Sequence, residues 1–377
     1  MAKVTKVNVR EIAAKAGVSH ITVSRALRDA PNVSAETKAR IRKVAEEMGY
    51  RPNPLVAAYT SQIRRTQGTS PACNLAWLGS ELTPGHKDFA WIRPYREGVV
   101  TRAAELGFAL ETHVDAEKLS SKRLASLLSA RGIRGVVVPH LLYVGPELKD
   151  LDSMACVGIG PTPSARPMHT VTPDHFANMT TAFSHLLTLG YERIGFCEHL
   201  HGTMINQGTL WGAFLFNQQR IPKAQRVPPL TGLHVGKTHT QAESLFRTWF
   251  RKEKPDAILG TFAHTRAWLT QETRVPGDTG LAHLTLADDT PGWSGIDVMP
   301  RQIGSAAVDL LAAHIHRNEY GAPEIPKLMR IPGIWRDGDS TRPPERSPDP
   351  EMDPPSHNHS FAWFEQNFTK YSQDDAK

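Results

Sequence analysis

The first fifty residues contain three short runs in which apolar side chains recur at helical spacing. The apolar face of the first run consists of Ile12, Ala13 and Ala16. Gly17 supplies a tight turn after it, and the second run places Val23 and Leu27 four residues apart on a shared buried face. The third run begins after Ser34 and stops at Gly49, with Ile41, Val44, Ala45 and Met48 as its buried positions. The pattern predicts three short helices.

Small polar residues stand before each of these helices, where N-caps are found. Asn8 can cap the first helix while Glu11 reaches back to its start, and Ser19 and Ser34 precede the other two. A helix, a glycine turn and a second helix form a motif that reads DNA, with the second helix in the major groove. The outward positions of that second helix are His20, Ile21, Thr22, Ser24 and Arg25.

From residue 74 onward, short apolar runs alternate with amphipathic stretches. The runs predict strands at 74–78, 108–114, 135–139, 155–159, 193–197, 256–260 and 281–287. The stretches between them predict helices at 94–106, 122–130, 175–189, 240–252 and 301–318. This alternation indicates parallel sheets covered by helices. Two such lobes would leave a cleft beyond the carboxyl ends of the strands, where small ligands usually bind.

Positive charge is concentrated at the N-terminus. Residues 1–66 contain 13 Lys and Arg against 5 Asp and Glu, a net charge of +8, whereas the whole 377-residue chain carries +6. The remainder of the chain is therefore at −2. Charge gathered in one small module is the distribution expected of a phosphate-binding surface.

Other kinds of chemistry leave little trace in the sequence. Cys73, Cys156 and Cys197 are scattered and include no CxxC pair, so we predict neither a disulfide framework nor a metal site. No phosphate-binding loop, GxGxxG or GxSxG motif is present, so no cofactor and no catalytic residue is predicted. The sequence shows neither an apolar run of signal-peptide length nor a segment that could span a bilayer, so we expect a cytoplasmic protein without membrane contact.

The stretch from Val9 to Asn53 resembles the headpiece of the LacI/GalR family of bacterial transcription regulators. It contains AGVSxxTVSRxL, then VSAxTxxxI, then GYxPN, at that family's spacing. A module that only packs three helices would explain the apolar positions, but not the hydroxyl groups and Arg25 on one outward face. The resemblance implies an N-terminal all-α helix-turn-helix headpiece on an α/β two-lobed core like a periplasmic binding protein, with parallel sheets.

The resemblance also implies roles for individual headpiece residues. The positions that read base edges in the family hold His20, Ile21 and Arg25 here. Arg25 can bind guanine through two hydrogen bonds, worth about 1–3 kcal/mol of discrimination, whereas Ile21 suits a thymine methyl group. Contacts to the phosphate backbone are implied for Arg10, Ser19, Thr22, Ser24, Asn32 and Ser34. For each residue, the alternative is an ordinary solvated side chain.

The family's next element is a hinge helix that folds on DNA and inserts an apolar side chain into the minor groove. In this chain the matching stretch, 55–63, follows two prolines. Tyr59 stands where the family usually has leucine, and we expect it to be the inserted side chain, with Leu55 as the second choice. The hinge residues expected at the minor groove are Leu55, Ala58 and Tyr59.

A looser resemblance extends over roughly residues 5–341 and implies a core like a periplasmic sugar-binding protein with three crossovers. Residues near 67–170 and 298–330 would form one lobe, and 171–297 with 331–340 the other. The positions that match effector contacts hold Trp91, Gln207, Phe262 and Asp288. Asp288 could accept hydrogen bonds from sugar hydroxyls while Trp91 packs on an apolar sugar face. Equally, Asp288 could cap a strand end and Trp91 could belong to the core.

These features divide the chain into four predicted segments. We expect a DNA-binding headpiece at 1–50, a hinge linker at 51–66, a core for effector binding and dimerisation at 67–341, and a disordered tail at 342–377. The tail is rich in proline, and it also contains aromatic residues that could dock on a surface. These residues are Phe361, Trp363, Phe364, Phe368 and Tyr371.

The function predicted from the sequence is sequence-specific regulation of transcription, with repression as the expected sense. A homodimer would bind a pseudo-palindromic double-stranded DNA operator, and a small effector, expected to be a carbohydrate, would control that binding. Two alternatives are a solute-binding sensor without regulatory DNA binding and an enzyme on the same core. The headpiece disfavours the sensor, and the lack of a paired acid–base constellation disfavours the enzyme.

Overall fold

The computed structural model describes a three-helix module at the N-terminus and two sheets with their covering helices. The described residues are 9–27, 33–48, 50, 74–79, 92–111, 116, 119–139, 145–160, 166–198, 206, 208–230, 233, 238–262, 264–286 and 290–343. The fold class predicted from the sequence is confirmed, since parallel sheets follow an all-α headpiece.

The headpiece consists of helices α1 Val9–Ala16, α2 His20–Leu27 and α3 Ala35–Glu47. Gly17 adopts a φ of +66°, which lets the chain turn sharply between α1 and α2. The centre of the module is formed by side chains without solvent exposure, Ile12, Val23, Ala26 and Ile41.

Three headpiece residues predicted to be buried are only half-buried, namely Leu27, Val44 and Met48. They pack against the edge of the core, and the small Ala26 takes a central place that the sequence reading left out. A core made by three short helices is too small to cover long side chains at its rim.

The first sheet has six strands in the order β10-β5-β4-β3-β1-β2, and all of its pairings are parallel. In chain order its first elements are β1 Asn74–Trp77, α4 Arg93–Glu105, β2 Ala109–Glu111, α5 Ser121–Ala130, β3 Ile133–Pro139, β4 Ala155–Ile159 and β5 His169–Pro173. The chain returns to this sheet later, through α10 Pro300–Arg317 and β10 Leu328–Ile331.

The second sheet has five strands in the order β11-β9-β8-β7-β6, with β11 antiparallel at one edge. Its elements are α6 His175–Thr188, β6 Ile194–Cys197, α7 Thr209–Gln218, α8 His239–Glu253, β7 Ala257–Gly260, α9 His264–Leu269, β8 Gly280–His283, β9 Ser294–Asp297 and β11 Ile334–Arg336. A short 3-10 helix, Lys223–Gln225, follows α7.

Both sheets bury apolar side chains on their two faces. Along β3, Val137 joins one hydrophobic cluster, whereas Val136 and Val138 join another. In the second sheet, Leu259 and Ile258 divide in the same way between two clusters. Strands that alternate between two apolar layers are typical of parallel sheets with helices on either side.

Several boundaries differ from those that the sequence pattern predicted. The described part of the strand predicted at 108–114 forms β2 at Ala109–Glu111, and residues 112–114 lie outside the described part of the chain. The strand predicted at 281–287 ends at His283, because the chain bends there. Strand β5 continues to Pro173 in the first sheet, and β10 includes Ile331, so the predicted lobe boundaries at 170 and 330 are too early. Four strands were not predicted at all: β5, β9, β10 and β11.

The chain crosses between the sheets three times: after β5, after β9 and after β10. The first and third crossovers are tied together by hydrogen bonds. The Asp174 amide donates to the Ile331 carbonyl at 2.8 Å. The Gly333 amide donates to the Asn178 Oδ1 at 2.7 Å, and Asn178 is 1% exposed. The lobes therefore meet at a connection that is specifically hydrogen-bonded.

His175, at the start of α6 beside this connection, makes folding sensitive to pH. Burial lowers the pKa of its imidazole to about 4, although the neighbouring Asp174 carboxylate opposes this. In the unfolded chain the histidine pKa is about 6.5, so between about pH 6.5 and pH 4 the unfolded state binds a proton at this imidazole and the folded state does not. Stability is therefore unaffected above pH 6.5 and is lost as the pH falls from about 6.5 towards 4.

We expect the free energy of unfolding to fall by about 2 kcal/mol from this group alone between about pH 7.5 and about pH 5. Urea titrations at the two pH values, on the parent and on His175→Leu, measure this contribution. The variant should lose less stability than the parent by about that amount. Equal losses in the two proteins would show that His175 does not set this dependence.

Candidate nucleic-acid interface and effector-binding edge

The start of α2 brings together two hydroxyl groups that the sequence assigned to phosphate contacts. The Thr22 amide donates to the Ser19 Oγ at 3.1 Å, so Ser19 caps α2 as predicted. The Oγ of Ser19 and the Oγ1 of Thr22 are 2.8 Å apart. His20, between them, is exposed. This end of the helix combines exposed hydroxyl groups with the positive end of the helix dipole, an arrangement that suits phosphate.

The start of α3 repeats the same arrangement. The Thr37 amide donates to the Ser34 Oγ at 3.3 Å, and the two hydroxyl oxygens lie 2.8 Å apart. Ser34 is exposed and is the N-cap that the sequence predicted. The structure thus shows that Ser34 caps α3. The contact of Ser34 with a phosphate group stays a prediction.

The remaining DNA-contact predictions fall into two groups. Ile21, Ser24 and Arg25 belong to α2, and Arg10 belongs to α1, so these four lie on the helices predicted to carry them. Their contacts with DNA stay predictions. The other predicted residues lie outside the described part of the chain: Asn32, Leu55, Ala58 and Tyr59.

Ser19→Asp separates capping from phosphate binding. Aspartate caps helices as well as serine does, so the headpiece should keep its stability, but its charge repels a phosphate group and DNA affinity should fall at least tenfold, or about 1.4 kcal/mol. Ser19→Ala removes the cap, so this variant, unlike Ser19→Asp, should also lower the free energy of unfolding by about 1 kcal/mol. Thermal unfolding and DNA titration of both variants give the two readings.

Ser120 provides a matched control for this prediction, because it caps α5 in the core through the Arg123 amide at 3.3 Å. Ser120→Asp makes the same chemical change far along the chain from the headpiece and should leave DNA affinity as it is. Unchanged affinity in Ser19→Asp would remove Ser19 from the phosphate contacts.

The carboxyl ends of three neighbouring strands in the second sheet gather polar and aromatic side chains. Phe262 follows β7 and is half-buried, and its ring lies edge-on to that of His264 and tilted against that of Trp268, with centroids 4.9 and 5.4 Å away. These contacts show that Phe262 packs at the edge of the hydrophobic core. Its contact with an effector stays a prediction. The other predicted effector residues, Trp91, Gln207 and Asp288, lie outside the described residues.

Two further residues of this edge were missed by the sequence reading. Glu198 follows β6, is 3% exposed, and accepts a hydrogen bond from the Asn206 Nδ2 at 2.7 Å. His283 ends β8, and its Nδ1 accepts the Thr285 amide at 3.2 Å. The signal that could have found them is their position, since both stand at the carboxyl end of an apolar run. Buried polar groups at such an edge can fix the orientation of a small ligand.

The described residues include two buried cysteine thiols and side chains of the kinds that bind metal ions. Within them, no three His, Cys, Asp or Glu side chains are grouped to hold a metal ion. Burial raises the pKa of the thiols of Cys156 and Cys197 to about 12, which keeps both protonated near neutral pH. Among the same residues, no helix is long and apolar enough to cross a membrane.

Comparison with known proteins connects the headpiece to one family. Residues 8–53 match the model of "Bacterial regulatory proteins, lacI family". The regulator DegA of Bacillus subtilis is 26% identical over 196 residues, which cover 50% of this chain and 54% of that protein. AscG of Escherichia coli is 29% identical over 191 residues, covering 49% and 53%. The chain thus spans about half the length of these curated relatives.

Solved structures extend the likeness to the core. The lac repressor dimer bound to operator and the anti-inducer ONPF has a TM-score of 0.50 and 17% sequence identity, over 89% of this chain and 99% of that one. At this level of identity, the similarity shows the fold. Residues 8–53 are thus similar to the headpiece of the bacterial lacI-family regulators, and the core that follows has the fold of the lac repressor.

Proposed function

We propose that the protein is a transcription regulator that binds a specific double-stranded DNA site through α2. The observation that carries this proposal is the exposed start of α2, where the paired hydroxyl groups of Ser19 and Thr22 face solvent beside His20. The turn at Gly17 holds this helix against α1. The N-terminal segment that contains both helices has a net charge of +8, which favours association with the phosphate backbone.

We further propose that the core binds a carbohydrate or carbohydrate derivative at the carboxyl ends of β6, β7 and β8. Glu198, Phe262 and His283 stand there, and the predicted contacts Gln207 and Asp288 follow β6 and β8 in the sequence. Carboxylate and amide groups can bond to sugar hydroxyls, and aromatic rings can cover the apolar face of a sugar. The carbohydrate would change DNA affinity by about 1–3 kcal/mol, and DNA would change carbohydrate affinity equally.

Three further features belong to this proposal. A homodimer would present two headpieces to the halves of a pseudo-palindromic operator. Repression is the sense of regulation that we propose, in the cytoplasm, where bacterial DNA lies. A catalytic role is not part of the proposal, and the relatives that match are named as regulators.

Selection of bound sequences from random duplex DNA tests the proposal directly. The purified full-length protein should enrich a near-palindrome, and carbohydrates should then be screened one by one for a change in its affinity. A recovered palindrome supports the regulator. Carbohydrate binding without any enriched sequence, with or without carbohydrate present, would favour a solute sensor instead.

A further inference from the structure

Two helices of the second lobe, α6 and α7, pack side by side and share an outer surface. The Phe176 and Phe216 rings approach with centroids 5.5 Å apart. The Asn217 Nδ2 donates to the Thr180 Oγ1 at 3.1 Å, which fixes the two helices against each other. We call their outer surface, around Phe176, Leu215 and Phe216, the α6–α7 face.

The α6–α7 face is unusual because its two helices contain no charged residue and yet expose large apolar side chains. The nearby charge is that of Arg220, after α7, whose guanidinium donates to the Ser184 Oγ and the Asn217 Oδ1. Phe176, Leu215 and Phe216 are 39%, 43% and 39% exposed. Across their 14 and 10 residues, α6 and α7 contain no Lys, Arg, Asp or Glu. Every other helix in the described ranges has at least one. Loss of charge together with exposed aromatic residues is typical of the centre of a protein interface.

The C-terminal tail has a matching pattern. Residues 344–360 include five prolines, and the segment 361–371 that follows reads FAWFEQNFTKY. At helical spacing its repeat of three, four and three residues would line one face with Phe361, Phe364, Phe368 and Tyr371. An amphipathic segment of this kind binds an apolar groove through residues about one helical turn apart.

The tail also begins near this face. The Arg342 amide donates to the Tyr191 Oη at 2.9 Å, and its guanidinium lies 4.4 Å from the centre of that ring. Tyr191 comes three residues after α6, so the tail starts beside the end of that helix. A helix of 14 residues is about 20 Å long, which is the distance back to Phe176. At about 3.1 Å per residue for a proline-rich segment, the 17 residues from 344 to 360 can reach farther than this distance.

We propose that residues 361–371 of the tail dock on the α6–α7 face of the second lobe. The occupant is thus the chain's own C-terminal segment, bound through its aromatic stripe to the exposed apolar side chains of two helices that contain no charged residue. Because the segment is tethered to the same chain within reach of the face, its binding there is intramolecular, which raises its effective concentration at the face. The proposal does not depend on the regulatory function, since it rests on the lobe and the tail alone.

Thiol labelling tests the proposal in the full-length protein. Leu215→Cys places a reactive thiol on the face, and Met329→Cys, at a position 40% exposed on the edge strand β10, serves as the control. Each is made in a Cys73→Ser background, where the remaining thiols of Cys156 and Cys197 are buried. Each is then combined with the tail substitutions Phe364→Ser and Phe368→Ser, which keep the tail at full length.

We expect the tail substitutions to raise the labelling rate at position 215 at least fivefold and to leave the rate at position 329 unchanged. Equal rates at position 215 with both tails would overturn the proposal. If labelling at position 215 slows as the protein concentration rises and does not change with the tail sequence, the face is covered by a second copy of the chain. This result would also overturn the proposal.

A second experiment measures how fast a protease cleaves the tail. Chymotrypsin cuts after aromatic residues, so docking should protect 361–371 from cleavage. Leu215→Lys puts a charge on the face and should speed cleavage within this segment severalfold, whereas Met329→Lys should not. Cleavage at the same rate in both variants and in the parent would contradict docking. Circular dichroism confirms that each variant is folded before either experiment.

Discussion

Arg25→Ala is expected to reduce the preference of the protein for its operator over scrambled DNA at least thirtyfold. A bidentate contact between arginine and guanine contributes about 1–3 kcal/mol of discrimination, and a dimer makes the contact twice, so the loss is about 2–6 kcal/mol. Fluorescence anisotropy with the selected operator and with a scrambled duplex of equal length measures the ratio of the two affinities.

The helix geometry supports the choice of Arg25. Val23 and Ala26 have no exposed surface and define the buried side of α2. With 100° between successive residues, positions 21 and 25 fall on the opposite side of the helix from Val23. The N-terminal end of a recognition helix and the side turned away from the core are the parts that can enter the major groove.

Arg40→Ala is the matched control, because Arg40 is an exposed arginine on α3 of the same headpiece. It removes the same charge, so it should weaken binding to both duplexes by a similar factor and reduce the salt dependence of binding. If Arg25→Ala likewise lowers both affinities equally, Arg25 contributes charge and does not read bases.

The headpiece could be predicted almost completely from the sequence, because its determinants are local. Ser19 and Ser34 cap helices that begin within three residues of them, and Gly17 makes its turn between adjacent elements. Each of these interactions joins residues that are neighbours in the chain. The half-buried Leu27 shows the limit of such reasoning, since burial depends on how much of the module covers a position.

The core was predicted less completely, because some of its strands depend on distant residues. Strand β9 reads SGID and contains no apolar run. Its Ser294 is fully buried, with its hydroxyl group 2.7 Å from that of Thr341 and accepting the Gly338 amide at 3.0 Å. These partners are more than 40 residues away in the chain. A buried polar strand of this kind becomes recognisable only once its partners are known.

The same reason limits what the sequence could say about the effector-binding edge. Glu198 lies at this edge because β6 ends just before it. Its carboxylate accepts a hydrogen bond from the side chain of Asn206, eight residues further along the chain. His283 joins the edge through the pairing of β7 and β8. The position of each residue at the end of an apolar run marks it as a candidate in the sequence, but only the sheet order shows that the ends of the three strands lie side by side.

Gly304→Ala is expected to destabilise the protein by about 1–3 kcal/mol, since overpacking a close contact costs about that much. Helices α4 and α10 cross with their backbones in contact. A Cβ atom at Gly304 would lie 2.1 Å from the Tyr95 carbonyl oxygen, and one at Gly98 would lie 2.0 Å from that of Arg301. Because both obstacles are backbone atoms, no side-chain rotation relieves the clash, and the helices must move apart.

Gly212→Ala is the matched control for this substitution, because Gly212 lies within α7 and a Cβ atom there would meet no atom within 4 Å. The added methyl group should stabilise the protein by about 0.5–1 kcal/mol, since alanine favours a helix over glycine. Urea unfolding should therefore shift in opposite directions for the same chemical change. Equal shifts would mean that α4 and α10 can separate at little cost. The lobe would then be held by its sheet, and the helix crossing would contribute little to its stability.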